Sequence, residues 1–283
     1  MRIAVTGGSG LVGRGIVRLL AEKYDVVNVD IVAPGTSGGV VVEHSPTDVR
    51  NLAELAVALR GADAVVHAAG IPGPSRASES ELLDTNVEGT RNVALAARES
   101  GVGRVVFLSS EAVLGFVFCE GRTRPSFLPI DETHPLAPSE PYGRSKLMAE
   151  MALKRSAAGD STVVCLRPPW VWAPEEYGKL RGLTVDPSCW WDGLWAYVHR
   201  DDVARAVERA VTAGLPAGFH AAYIAAPDNG TNVPTRDLVN EYCPGVPVDD
   251  SLPAFGSLIS SARSGELLDF VPSMSWHDFL PPE

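Results

Sequence analysis

The chain has 283 residues, 45% hydrophobic and 21% charged, which is the composition of a folded protein and excludes a disordered one. A chain this long buries roughly three-quarters of its unfolded surface and needs no disulfide or metal staples. Lys and Arg number 24 against 35 Asp and Glu, a net charge of −11, so an acidic chain without a basic stripe is a poor match for a nucleic-acid backbone.

The predicted elements follow in chain order. Arg2–Thr6 is a short β-branched run closed by glycines, read as a buried parallel strand. Gly10–Lys23 carries Leu11, Val12, Ile16, Leu19 and Leu20 at helical spacing. Asp25–Asp30 is a second strand, Val40–Glu43 a third, Leu52–Leu59 a helix and Ala64–His67 a fourth strand. Ile71–Ser80 is a loop, Glu81–Glu99 a long helix, Arg104–Ser110 a fifth strand, Tyr142–Arg155 a helix and Thr162–Arg167 a sixth strand. Such alternation implies a parallel sheet covered by helices on both faces.

After Arg167 the texture changes. Pro168, Pro169, Trp170, Trp172 and Pro174 cluster, followed by Trp190, Trp191 and Trp195. These tryptophans suit either a stacking wall for a ring or packing of a lobe against the sheet. Residues 1–167 form the main domain, with 197–227 returning to the sheet through a helix at Asp201–Ala213 and a strand at Ala221–Ala226. Residues 168–196 and 228–283 make a small substrate lobe. No secretory leader is visible, no apolar stretch nears the roughly 20 residues that cross a bilayer, and no repeat is present. Cys119, Cys165, Cys189 and Cys243 show neither a disulfide framework nor metal-ligand spacing. The expectation is a cytoplasmic protein with free thiols and no metal, membrane or nucleic-acid partner.

Gly7, Gly10 and Gly13 space a GxxGxxG motif between the first strand and the first helix. There they serve a tight turn, close approach of backbone to a pyrophosphate, and close helix–strand packing. The free N–H groups at the helix start face the phosphates. Asp30 ends the second strand, where a carboxylate accepts ribose hydroxyls and repels a 2′-phosphate. Ile31 and Val32 supply no arginine to neutralise that phosphate, so the reading is a Rossmann-type doubly wound sheet that binds NAD rather than NADP.

Tyr142 and Lys146 stand four apart and share a helix face. A phenol titrates near 10 and is a poor base at neutral pH until a neighbouring ammonium stabilises the phenolate. Ser109 and Ser110 place hydroxyls at the carboxyl end of the fifth strand, where such sheets bind ligands.

With these motifs in this order, residues 1 to about 225 resemble the extended short-chain dehydrogenase/reductase family, also called the NAD-dependent epimerase/dehydratase family. Further matching stretches are Asp48-Val49, His67-Ala68-Ala69-Gly70, Asn86-Val87-Glu88-Gly89-Thr90, Arg167-Pro168 and Tyr197-Val198-His199-Arg200-Asp201-Asp202. The resemblance implies that Ser110 is the catalytic hydroxyl, that Tyr142 is the acid/base, and that Lys146 binds the nicotinamide ribose. It implies cofactor contacts from Gly7, Gly10, Leu11, Val12, Gly13 and Asp30, and adenine contacts from Asp48 and Val49. Ala68, Ala69, Gly70, Asn86, Ser109 and Pro169 complete the implied cofactor set.

Departures bear on the substrate. Leu114 stands where many members have tyrosine, and Ala173-Pro174 where many have Gly-Pro. Glu111 is followed by Ala112 rather than a second acid, which weakens a dehydratase reading. The short C-terminal region and the Tyr142–Lys146 helix, Pro174-Glu175 and His199–Asp202 loosely resemble uronate dehydrogenases. There Lys179 or Arg181 would hold a substrate carboxylate, joined by Ser110, Glu111, Tyr142 and His199 around a small sugar-like molecule. The resulting reading is an enzyme moving a hydride at a secondary alcohol of a sugar or nucleotide sugar. A carbonyl reductase or uronate-type dehydrogenase, and a non-catalytic dinucleotide sensor, are the alternatives. The resemblance also implies a homodimer through the Glu81–Glu99 and Tyr142–Arg155 helices, with Val87, Val93 and Leu147 facing outward.

Overall fold

The computed structural model describes residues 1–34, 41–119, 123–157, 161–178, 182 and 186–280. Arg181 and Lys179 lie outside the described residues.

Strand β1 (Arg2–Thr6) leads into helix α1 (Gly13–Leu20), followed by β2 (Asp25–Val29), β3 (Glu43–Ser45) and α2 (Leu52–Ala58). Strand β4 (Ala64–His67) precedes α3 (Glu79–Leu82), which widens into a π-helical stretch at Leu83–Glu88 and continues as α4 (Gly89–Glu99). Then come β5 (Arg104–Leu108), α5 (Pro141–Ser156), β6 (Thr162–Arg167), β7 (Trp170–Trp172) and β8 (Tyr197–His199). The chain closes with α6 (Arg200–Thr212), β9 (Gly218–Tyr223), α7 (Thr235–Tyr242) and α8 (Ala262–Leu268).

The main sheet runs β3-β2-β1-β4-β5-β6-β9, with every pair parallel. Strand order reverses at β1 and β4, and a ligand crevice opens outside the carboxyl ends there. Alternation along β1 serves both faces. Ile3 and Val5 pack with Ile16, Leu20, Val203 and Val207, whereas Ala4 packs with Leu55, Val93 and Leu153. A separate cluster centred on Trp172, Trp195, Tyr197, Ile130 and Leu258 gathers residues from the segments expected to form the smaller lobe. Among the described residues no helix is long and apolar enough to cross a membrane.

Several boundaries differ from those read in the sequence. The third strand is Glu43–Ser45, shifted toward the C-terminus from the expected Val40–Glu43, of which Val40 lies outside the described residues. It is an edge strand whose register is set by β2, through Val27 opposite Glu43, and the apolar Val41 stays exposed. The last strand is Gly218–Tyr223 rather than Ala221–Ala226, because Ala225 and Ala226 leave the sheet to bury in the lobe cluster. The loop before the long helix holds a short 3₁₀ turn at Pro74–Arg76. The helix starts at Glu79 because Ser78 and Glu81 form a reciprocal capping box. The parallel pair β7–β8 had no sequence signal beyond the tryptophans. Val87 and Val93 are fully packed inside the molecule, so they do not face outward, whereas Leu95, Met148 and Met151 do.

His67 shows what the sheet buries. Its ring sits between the hydroxyls of Thr6 at 2.7 Å and Thr90 at 2.9 Å, stacked on Phe107. Burial, aided by the Lys146 charge, pushes its pKa down to about 3. The unfolded chain therefore binds a proton below pH 6.5 that the folded chain refuses, and stability drains as pH falls from 6.5 toward 3. This group alone should contribute a slope near 1.4 kcal/mol per pH unit, taken as an order of magnitude. Urea unfolding of His67→Gln between pH 6.5 and 4 should show a shallower pH dependence than wild type, whatever its absolute stability.

Candidate active site

A cleft of about 760 Å³ opens at the carboxyl ends of β1, β4, β5 and β6. Its floor at one end is the glycine turn. Gly7 adopts φ 71°, and a Cβ there would come within 2.5 Å of the Ala69 backbone. A Cβ on Gly13 would collide with the Gly7 carbonyl, so the motif fixes how closely α1 meets the sheet. No side chain caps the start of α1, and its first turn holds no acidic residue. Its positive dipole end is left for an anion, while the Arg14 and Gly15 N–H groups already donate to the Gly10 and Val12 carbonyls at 3.0 Å.

Gly7, Gly10, Leu11, Val12 and Gly13 line this end, with Ala68 and Gly70 beside them. Asp30 accepts hydrogen bonds from the backbone N–H groups of Ser9 at 3.0 Å and Val32 at 2.9 Å, which locks the carboxylate beside the glycine turn. Asp48 is held by Arg50 at 2.6 Å, and Val49 is buried against Gly89. Asp30, Asp48, Val49, Ala69 and Asn86 are not among the residues that line the cleft. Asn86 instead braces the wall from the π-helical stretch. It accepts from the Ile71 N–H at 2.8 Å and donates to the Ser145 hydroxyl at 3.0 Å. The cradle, the uncapped helix start and the fixed Asp30 together fit a dinucleotide.

The other end of the cleft holds Ser109, Ser110, Glu111, Tyr142, Lys146 and Pro169. The Lys146 ammonium lies 6.0 Å from the centroid of the Tyr142 ring and donates to the Leu108 carbonyl at 2.9 Å. Burial pushes the phenol up to about 12, against a hydrogen bond from Ser110 that lowers it. Burial also lowers the Lys146 ammonium to about 8. Without a further positive charge, the phenol is therefore a proton donor at neutral pH. Ser110 also accepts from the Ala112 N–H at 3.1 Å and so starts the 3₁₀ turn Glu111–Leu114. Burial, and then the Asp192 charge, pushes the Glu111 carboxyl well above its ordinary range.

His199 does not line the cleft. It is buried at the start of α6, where its Nδ1 accepts from the Asp201 N–H at 3.1 Å, and its ring stacks on Phe279. Trp172 and Trp195 pack the lobe, while Trp170 and Trp190 line the cleft.

Two residues that hold the site, Glu140 and Glu150, escaped sequence reading, and Arg167 was read only as part of a matching stretch. Glu140 caps α5 by accepting from the backbone N–H groups of Tyr142, at 2.7 Å, and Gly143. Its signal was a carboxylate directly before Pro141, a good first helical residue. Glu150 and Arg167 form a buried bidentate pair with contacts of 2.7 and 3.0 Å. The Ser109 hydroxyl donates to the same carboxylate at 2.6 Å. The signal for Glu150 was its place four residues beyond Lys146, on the face that already carries Tyr142.

A parallel sheet with a switch-point crevice, a glycine turn and a Tyr-Lys helix defines a dinucleotide-binding α/β protein. The model of the NAD dependent epimerase/dehydratase family matches residues 3–218. The chain belongs to that family. An L-arabinose 1-dehydrogenase (NAD(P)(+)) of Haloferax volcanii is 31% identical over 221 residues, covering 76% of this chain and 84% of that protein. A 4-hydroxy-2-methyl-3-oxo-4-farnesyl-3,4-dihydroquinoline-1-oxide ketoreductase of Stigmatella aurantiaca is 31% identical over 62% of this chain. That alignment spans about half of the ketoreductase, 52%. Among solved structures, a short-chain dehydrogenase/reductase superfamily protein of Agrobacterium tumefaciens with bound NAD superposes with a TM-score of 0.73. It covers 99% of this chain and 94% of that one at 22% identity.

Removing one partner of a buried pair leaves the other charge uncompensated and costs about 3–5 kcal/mol. Glu150→Gln should therefore lower the unfolding midpoint in urea sharply. The double variant Glu150→Met/Arg167→Met should recover much of that loss, because the stranded charge is gone. A double variant as unstable as the single one would contradict this account.

Proposed function

We propose that this protein moves a hydride at a secondary alcohol carbon of a sugar or nucleotide sugar, with Ser110, Tyr142 and Lys146 as its catalytic set. The observation that carries the proposal is the convergence of these three residues at one end of the cleft, opposite the glycine turn. NAD, when bound, supplies the hydride acceptor and a positive ring. Tyr142 exchanges a proton with the substrate oxygen, which the Ser110 hydroxyl holds. Lys146 contributes a fixed positive charge that favours the phenolate. Pro169 and Trp170 shape the wall beside these groups. The same groups run the reaction in reverse on a carbonyl, and the resemblance to a ketoreductase supports that direction as a second reading. The exposed Leu95 of α4 and Met148 and Met151 of α5 support assembly as a homodimer through these helices.

Tyr142→Phe keeps the ring and loses the transferable proton. Turnover should fall by roughly 100- to 10,000-fold, while NAD affinity measured by calorimetry changes little. A variant that keeps most of its turnover would remove Tyr142 from the chemistry.

Asp30 governs the choice of dinucleotide in this reading. Wild type should bind NAD more tightly than NADP, and Asp30→Ser should narrow the gap by relieving repulsion of the 2′-phosphate. Equal affinities in wild-type calorimetry would sink that role.

A further inference from the structure

The reacting end of the cleft carries an acid that hydride transfer does not require. Glu111 follows Ser110 directly, lines the cleft, and is only 7% exposed. Its carboxyl takes a hydrogen bond from the Trp170 N–H. Asp192 lines the same cleft from the facing loop and acts on Glu111 as a like charge. The neighbouring Gly193 brings that loop close, with a Cβ position 3.9 Å from the Glu111 Oε1 atom. Tyr142 is the other titratable group that feels Glu111. Among the described residues no cation pairs with Glu111. Among the described residues the cations lining the cleft are Lys146, bound to the Leu108 carbonyl, and Arg76, which is exposed.

A buried carboxyl that faces a second carboxyl and no cation keeps its proton. Protonated, it has an O–H to give as well as an oxygen to accept with. A substrate carboxylate placed there would meet the Asp192 charge in a largely desolvated wall.

We propose that Glu111 is a specificity residue that donates a hydrogen bond to an uncharged oxygen of the substrate, and that the Asp192 charge beside it disfavours a carboxylate at that position. The substrate class is then a neutral sugar ring, and the uronate alternative is disfavoured. The inference deepens the sugar reading above and rests on it.

L-Arabinose, D-galactose and D-galacturonate form a matched series. They share one ring configuration and carry hydrogen, a hydroxymethyl group or a carboxylate at the same carbon. Binding to the NAD-loaded protein can be followed by tryptophan fluorescence, since Trp170 and Trp190 line the cleft. NADH absorbance reports turnover in parallel, and NAD calorimetry verifies that each variant is folded. Wild type should bind the two neutral sugars at least about tenfold more tightly than galacturonate. Glu111→Leu should weaken the neutral sugars by roughly tenfold, the cost of stranding a buried polar partner. Glu111→Gln keeps a donor but no acid, and should bind neutral sugars better than Glu111→Leu does. Asp192→Asn should narrow the gap between galactose and galacturonate.

Galacturonate binding as tightly as galactose in wild type, unchanged affinities in Glu111→Leu, or no binding of either neutral sugar would each overturn the inference. NADH formed from galacturonate and lost in Tyr142→Phe would sink it while leaving the hydride-transfer reading intact. The expected binding preference with no NADH from any sugar would do the reverse.

Discussion

The ion pair between Glu150 and Arg167 is the constraint on which the site depends. Both side chains are nearly inaccessible, at 4% and 6% exposure. Burial works against the Arg167 charge, and the hydrogen bonds and charge of Glu150 outweigh it and hold the guanidinium protonated. The pair joins α5 to the end of β6, and the Ser109 hydroxyl extends it to the end of β5. Arg167 also reaches the Tyr223 hydroxyl of β9 at 3.4 Å. Three strand ends and one helix are thus pinned at one point. Lys146 lies one helical turn back along α5 from Glu150, and Tyr142 a turn before that, so their positions over the strand ends follow from this anchor. Such a pair adds little net stability over an apolar replacement, but it tolerates only one register of helix on sheet.

Burial then sets the chemistry of the groups held there. It pushes the phenol of Tyr142 up to about 12 and the ammonium of Lys146 down to about 8. Each shift favours the uncharged form, and each is the direction a dry wall imposes. A positive charge delivered into the cleft acts on both groups with little screening. The site is poised to respond to what binds in it, whereas an exposed Tyr-Lys pair would be indifferent.

Much of this was legible in the sequence. Gly7, Gly10 and Gly13 are read from spacing, and at Gly7 and Gly13 only glycine survives the backbone approaches. Tyr142 and Lys146 are read from helical periodicity. The sheet is read from alternating strands and helices, because parallel strands are buried on both faces and appear as unbroken apolar runs. What stayed hidden depends on partners distant in sequence. Arg167 is 17 residues from Glu150, and neither residue alone announces a buried pair. Nothing local told Asn86 that its helix would widen and turn its amide toward Ile71 and Ser145. Val87 and Val93 look outward on an ideal helix, yet both are buried once that helix packs on its neighbours. His199 illustrates an ambiguity that only packing resolves, since capping and substrate contact demand the same residue at the same place.

The two ends of the cleft are held by interactions of different kind. At the chemical end the ties are buried: Glu150 with Arg167, Glu140 at the head of α5, and Lys146 on the Leu108 carbonyl. The loop on the lobe side is tied back through Glu175, which bridges Arg14 of α1 and Arg200 of α6, the latter at 2.8 Å. Glu175 and Arg14 are both exposed, at 45% and 43%, and such pairs contribute about 0–1 kcal/mol. Breaking this exposed pair to α1 therefore costs far less than breaking the buried ties around Tyr142 and Lys146. The loop is held chiefly by the burial of Tyr177 and Trp190 in the aromatic cluster around Trp172, so packing secures this side of the cleft where buried ion pairs and caps secure the other.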